Sequence, residues 1–171
     1  MFLNFLKKFL LKRKLKKALS SLTSELSDEK IKTVGLIIDE TYFTNKSQVV
    51  EDLQVQGIAE RNINLLLYHD KDKKRDLSAA SFSMKNVSWS GVIDDEKVVA
   101  FEAQRFDLLI SYYDLETPAL LWVTQRSKAR FKVGFSTIDK RLNHLMIQTT
   151  AENNTIFIQE LFKYLKILNK I

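Results

Sequence analysis

The 171-residue chain predicts an α/β protein: a three-layer sandwich with a mainly parallel sheet, extended by an N-terminal basic amphipathic helix. Three observations predict it. Short apolar runs alternate with segments of helical periodicity, which implies crossover units and a parallel sheet. Several runs are continuously apolar, as buried strands are. Only four glycines and one proline occur, and no repeat or flexible linker divides the chain, so its length fits one core.

Each element follows in order. KTVGLIID (32–39) ends in an acid and reads as a buried strand, with Gly35 permitting close packing inside it. After the loop ETYFTN, Asn45 can cap a helix to about Gln56, with Val49, Val50 and Leu53 on its apolar face. Gly57 suits the position just past that helix. INLLLY (63–68) is a second strand and HDKDKKRD (69–76) a charged loop. NVSW (86–89) reads as a short strand before Gly91, and Asp94 or Asp95 as the cap of a helix carrying Val98 and Phe101. FDLLISYY (106–113) is the next strand. Thr117 before Pro118 has the form of an N-cap with proline at the first helical position, and that helix runs to about Ser127. ARFKVGF (129–135) and HLMIQT (144–149) are further strands. The last helix spans about Asn153 to Asn169, with Phe157, Leu161, Leu165 and Leu168 at helical spacing. Periodicity leaves the strand order open.

Charge is concentrated at the start. MFLNFLKKFLLKRKLKK holds Lys7, Lys8, Lys12, Arg13, Lys14, Lys16 and Lys17 and no acid, so it carries +7 of a net +6, and the remainder sums to −1. Such a segment attracts polyanions: RNA, DNA or anionic lipid. It has no uncharged run long enough to span a bilayer, and lysines break the apolar core a secretory signal needs. Residues 1–28 are therefore read as a basic helical arm of the mature protein, and 29–171 as a single Rossmann-like domain. At 100° per residue the arm has two offset apolar faces. Leu11, Leu15, Ala18, Leu19, Leu22 and Leu26 share one face, which can dock on the body. Phe2, Phe5, Leu6 and Phe9 lie roughly opposite and are candidates for contact with a partner.

Signals of catalysis are sparse. Absence of cysteine excludes disulfides, thiolate metal sites and a cysteine nucleophile, and fits a cytoplasmic protein. There is no glycine-rich phosphate loop. Asp39, Asp114 and Glu116 would form an acidic cluster if their strands are neighbours, but the simpler reading is that they cap helices and stay solvated. His69 sits in the charged loop. His144, beside Arg141, is read as structural before phosphate-binding, and Trp89 and Trp122 as packing residues. A second basic cluster is Arg126, Lys128, Arg130, Lys132, Lys140 and Arg141, against the single acid Asp139. A basic arm plus a basic patch is the footprint of phosphate-backbone contact.

Two resemblances add to this. FDLLISYYDLETPALLWVTQRSKARFKVGF resembles the N-terminal half of heptosyltransferase-type glycosyltransferases, which implies a Rossmann-like fold. It does not imply the activity, since that family holds its nucleotide-sugar mainly with a second domain. TVGLIIDETYF, VSWSG, FDLLISYYD, FKVGFSTIDKRLNHLMI and ELFKYLKILNKI resemble a Bacteroidota-lineage family of unknown function, which in turn is suspected to be a lineage-specific protein of the large ribosomal subunit.

The expectation is a non-enzymatic rRNA-binding protein of that subunit, touching rRNA and neighbouring ribosomal proteins through the arm and the second cluster. No cofactor, no metal and no small-molecule substrate is expected. The alternatives are attachment to an anionic membrane surface through the arm, and a small Rossmann-like ligand-binding or enzymatic domain.

Overall fold

The structure, a computed structural model, describes residues 2–19, 29–70, 79–88 and 90–171. Leu22, Leu26, the charged segment 71–76 and Trp89, all considered above, lie outside them. Six strands form one sheet: β1 (Val34–Asp39), β2 (Ile63–Tyr68), β3 (Ala80–Phe82), β4 (Leu108–Tyr112), β5 (Phe131–Phe135) and β6 (Leu145–Ile147). Their order is β3-β2-β1-β4-β5-β6, and every pairing is parallel. The helices are α1 (Phe2–Leu19), α2 (Lys46–Val55), α3 (Glu96–Ala103), α4 (Pro118–Arg126) and α5 (Asn154–Ile167). Helix α4 packs with α1 and α3, and α2 packs with α5, so the sheet is sandwiched between two helical layers. This is the Rossmann-like three-layer sandwich.

The central strands are apolar throughout because both of their faces are covered; β1, β4 and β5 are buried at every position. Val34 of β1 lies between Ile63 of β2 and Leu108 of β4. The start of β1 is tied down by Asp107, whose Oδ2 accepts the Lys32 and Thr33 amides at 2.8 Å each. Asp95 caps α3 by accepting the Lys97 and Val98 amides. Thr117 and Asn45 precede α4 and α2 as expected, but neither side chain makes a capping hydrogen bond. Gly57 follows α2 at φ 96°.

The short strand expected at 86–89 is corrected. A capping box at Ser83 and Asn86 closes a single 3-10 turn over Met84–Asn86, and Val87 makes only an isolated antiparallel bridge to Ile93. The edge strand is instead Ala80–Phe82, whose Ala-Ser-Phe carries no apolar run to announce it.

Gly35 is a position of close approach. A Cβ there would sit 2.6 Å from the Phe106 ring, which is fully buried against Phe101. Gly35→Ala is predicted to destabilise the fold by about 1–3 kcal/mol through overpacking. Equilibrium urea unfolding checks this, and a midpoint equal to that of the wild type contradicts it.

Candidate functional site

Strand order reverses between β1 and β4: the chain leaves β1 toward β2 and returns to β4 on the other side. Loops leaving neighbouring strands in opposite directions open a crevice at their C-terminal ends, where α/β sheets bind ligands. A cavity of about 500 Å³ lies there. Its inner wall holds Asp39 from the end of β1, Tyr68 from the end of β2, and Glu116 and Thr117 from the approach to α4.

Asp39 is the unusual group. It is 3% exposed, Oδ1 accepts the Thr41 amide at 2.9 Å, and Oδ2 is buried without a partner. Burial pushes its carboxyl above the ordinary 3.8, the Thr41 hydrogen bonds oppose this, and the charges of Asp70 and Asp114 add to it. The other acids are committed. Asp70 accepts the Tyr68 hydroxyl and lies 4.0 Å from the Lys8 ammonium. Asp114 Oδ2 accepts the Ala151 amide, and Glu116 Oε1 accepts the Asp139 amide. The expectation that all three strand-end acids stay solvated is therefore corrected for Asp39, because an apolar strand carries it into the core. Among the described residues, no group of three or more His, Asp or Glu side chains gathers to hold a metal ion.

Helix α1 supplies the outer wall. Leu11, Leu15 and Leu19 are buried in the core at i, i+4 and i+8, so this stripe docks on the body. Docking turns Phe5, Lys8, Phe9 and Lys12 toward the crevice, with Phe5 70% and Phe9 55% exposed. Leu6 and Lys7 are half-buried, and the Phe2 side chain lies outside the described residues. Lys12, Arg13, Lys14, Lys16 and Lys17 are exposed. The two offset apolar faces thus serve different surfaces: one the core, the other the mouth of the crevice.

A family model matches residues 7–168. The chain belongs to the family of unknown function DUF6913. The match begins inside α1, so the family takes in most of this helix together with the sheet. A comparison with curated proteins and with solved structures returns no match.

The second basic cluster is largely absorbed by the fold. Arg126 donates to Glu102 at 2.7 Å and lies over the Trp122 ring. Arg130 pairs with Asp107 and Glu29, and Arg141 with Asp139. Lys132 is buried on β5; its ammonium donates to the Thr124 and Gln125 carbonyls, and burial lowers it to about 8. Its burial removes Lys132 from any surface contact. Lys128 and Lys140 remain exposed. His144 stacks on Phe131 and its Nδ1 accepts the Lys132 amide, while burial lowers its pKa, so it is a structural histidine. His69 is also buried, with Nδ1 3.7 Å from Glu40. Trp122 is a packing residue, as expected.

Sequence reasoning missed Tyr68 and Asp70 as neighbours of Asp39, because their convergence needs the pairing of β1 with β2. The apolar strand ending in an acid was the one local signal.

Asp39 makes a stability prediction. A raised folded-state pKa means that the native state binds more protons than the unfolded state above pH 3.8. Stability associated with this group is therefore full below 3.8 and declines as pH rises through the folded-state value. Asp39→Asn should remove that decline and raise stability at neutral pH by on the order of 1 kcal/mol. Urea unfolding of both proteins at pH 4 and pH 7 tests it: the gap must widen with pH, and a constant gap refutes the assignment.

Proposed function

We propose that the protein is a non-enzymatic RNA-binding protein that grips the phosphate backbone with the outward face of α1. The observation that carries this reading is the exposure of Arg13, Lys14, Lys16 and Lys17 on a helix pinned by Leu11, Leu15 and Leu19. No acid occurs in residues 1–19, and among the described residues Arg13, Lys14 and Lys16 form no ion pair. A pinned helix holds these charges in place, so less side-chain and backbone freedom is lost when phosphates arrive. Lys128 and Lys140 are further exposed cations, whereas the other members of the second cluster are paired or buried. The resemblance noted above makes rRNA of the large subunit the RNA of choice.

Membrane attachment has less support. Among the described side chains, the exposed aromatic residues of α1, Phe5 and Phe9, line the crevice, where they face the cavity and not a lipid surface. Among the described residues, no helix is long and apolar enough to cross a membrane.

Sucrose-gradient fractionation at low salt should place the protein with ribosomal subunits. Replacing Arg13, Lys14 and Lys16 together by alanine should release it. Each lost phosphate contact removes about 0.7–0.9 from the slope of log affinity on log salt, so the triple variant should flatten that slope by roughly 2–3. Wild-type protein remaining at the top of the gradient, or an unchanged slope in the variant, overturns the reading.

A further inference from the structure

We propose that the crevice between β1 and β4 is a binding site for a nucleoside monophosphate, with α1 as its outer wall. This stands apart from the RNA reading, which uses Arg13, Lys14, Lys16 and Lys17 and none of the cavity-lining residues of α1, and it runs against the sequence expectation of no small-molecule ligand.

Three kinds of group converge on the cavity, and each selects one part of the ligand. The first is Asp39. A buried carboxylate oxygen without a partner carries a desolvation cost that an incoming hydroxyl donor relieves. A ribose presents two such hydroxyls on adjacent carbons. The second is the start of α4. Pro118 has no amide hydrogen, Thr117 makes no side-chain cap, and the first helical bond runs from the Leu121 amide to the Thr117 carbonyl. The amides of Ala119 and Leu120 thus have no acceptor within the helix, and the residues at its start, Thr117 and Pro118, line the cavity beside Glu116. Lys12 lines the cavity from α1, next to Lys8, which lies 4.0 Å from Asp70. An anion bridging helix terminus and ammonium fits this position, and phosphate is the anion helix N-termini favour.

The third kind is aromatic. Phe5, Phe9 and Tyr42 line the cavity at 70%, 55% and 69% exposure, and no side chain in the described residues covers them. Flat rings left open beside a hydroxyl acceptor and an anion site suit a nucleobase, since base-aromatic stacking is tolerant of sequence. The volume, about 500 Å³, falls in the range of small-molecule sites, roughly 300–1,000 Å³. The absence of a glycine-rich loop is no obstacle, because a monophosphate needs one helix terminus and a lysine, whereas a pyrophosphate needs a longer cradle of amides.

The test is isothermal titration of the full chain with AMP, GMP, CMP and UMP in turn, with L-phenylalanine and L-tyrosine as controls. At least one nucleotide should bind saturably, one per chain, and the amino acids should not. Asp39→Asn and Phe9→Ala should each weaken that binding by about tenfold or more. The urea unfolding of Asp39→Asn described above separates lost binding from lost folding. Phe9 is an exposed helix residue whose removal leaves the core intact. The inference is overturned if no nucleotide gives saturable heat, if both variants bind like the wild type, or if the amino acids bind in place of nucleotides. Failure here with ribosome association intact sinks this site alone. Nucleotide binding with no ribosome association sinks the RNA reading alone.

Discussion

The pairing of β1 with β2 on one side and β4 on the other is the constraint on which the rest of the molecule depends. A parallel strand flanked by two parallel neighbours sends its connections in opposite directions, and the gap between them cannot be closed by the sheet itself. Burial of β1 at all six positions carries its last residue, Asp39, into that gap before solvent can reach it. The crevice, its unpartnered oxygen and its raised pKa are three consequences of one strand position.

Helix α1 acts on that geometry from outside. Its Leu11–Leu15–Leu19 stripe provides the apolar burial that fixes it against α4, and its position then decides what every other residue on it faces. Phe5, Lys8, Phe9 and Lys12 meet the crevice, while Arg13, Lys14 and Lys16 remain in solvent. One short helix thereby presents a ring-and-ammonium wall to a cavity and a bare cationic surface to the outside. The RNA and nucleotide proposals therefore draw on different residues of the same helix.

Electrostatics separates the two basic segments of the chain. Along 126–141, Arg126, Arg130, Lys132 and Arg141 meet acids or carbonyls: Glu102, Asp107, Glu29, Asp139 and the end of α4. These contacts close the fold around β4 and β5, the Phe131–His144 stack included. On α1 no acid is near in sequence, and docking through leucines leaves Arg13, Lys14 and Lys16 exposed and without an ion pair among the described residues. The same residue types thus serve packing in one place and remain available for recognition in the other.

The sequence by itself determined the element types and most of their limits. β1, β2 and β4 were legible because continuous apolar runs ending at polar residues have few alternatives, and α3, α4 and α5 because caps, a proline or apolar spacing marked them. It also determined that the positive charge resides in one arm with two offset apolar faces. β3 was illegible because Ala80–Phe82 has neither length nor apolar pattern, and Ser83 with Asn86 diverts the chain by hydrogen bonds that periodicity does not report. Only the tertiary structure decided the strand order, and with it that Asp39 is buried and unpartnered while Asp114 and Glu116 are hydrogen-bonded. Only it decided that Lys132 is internal and that Phe9 faces a cavity. Composition and spacing fix what a residue can do; which residues from distant segments meet is fixed by sheet order and helix docking, because burial and pairing are properties of the assembled core.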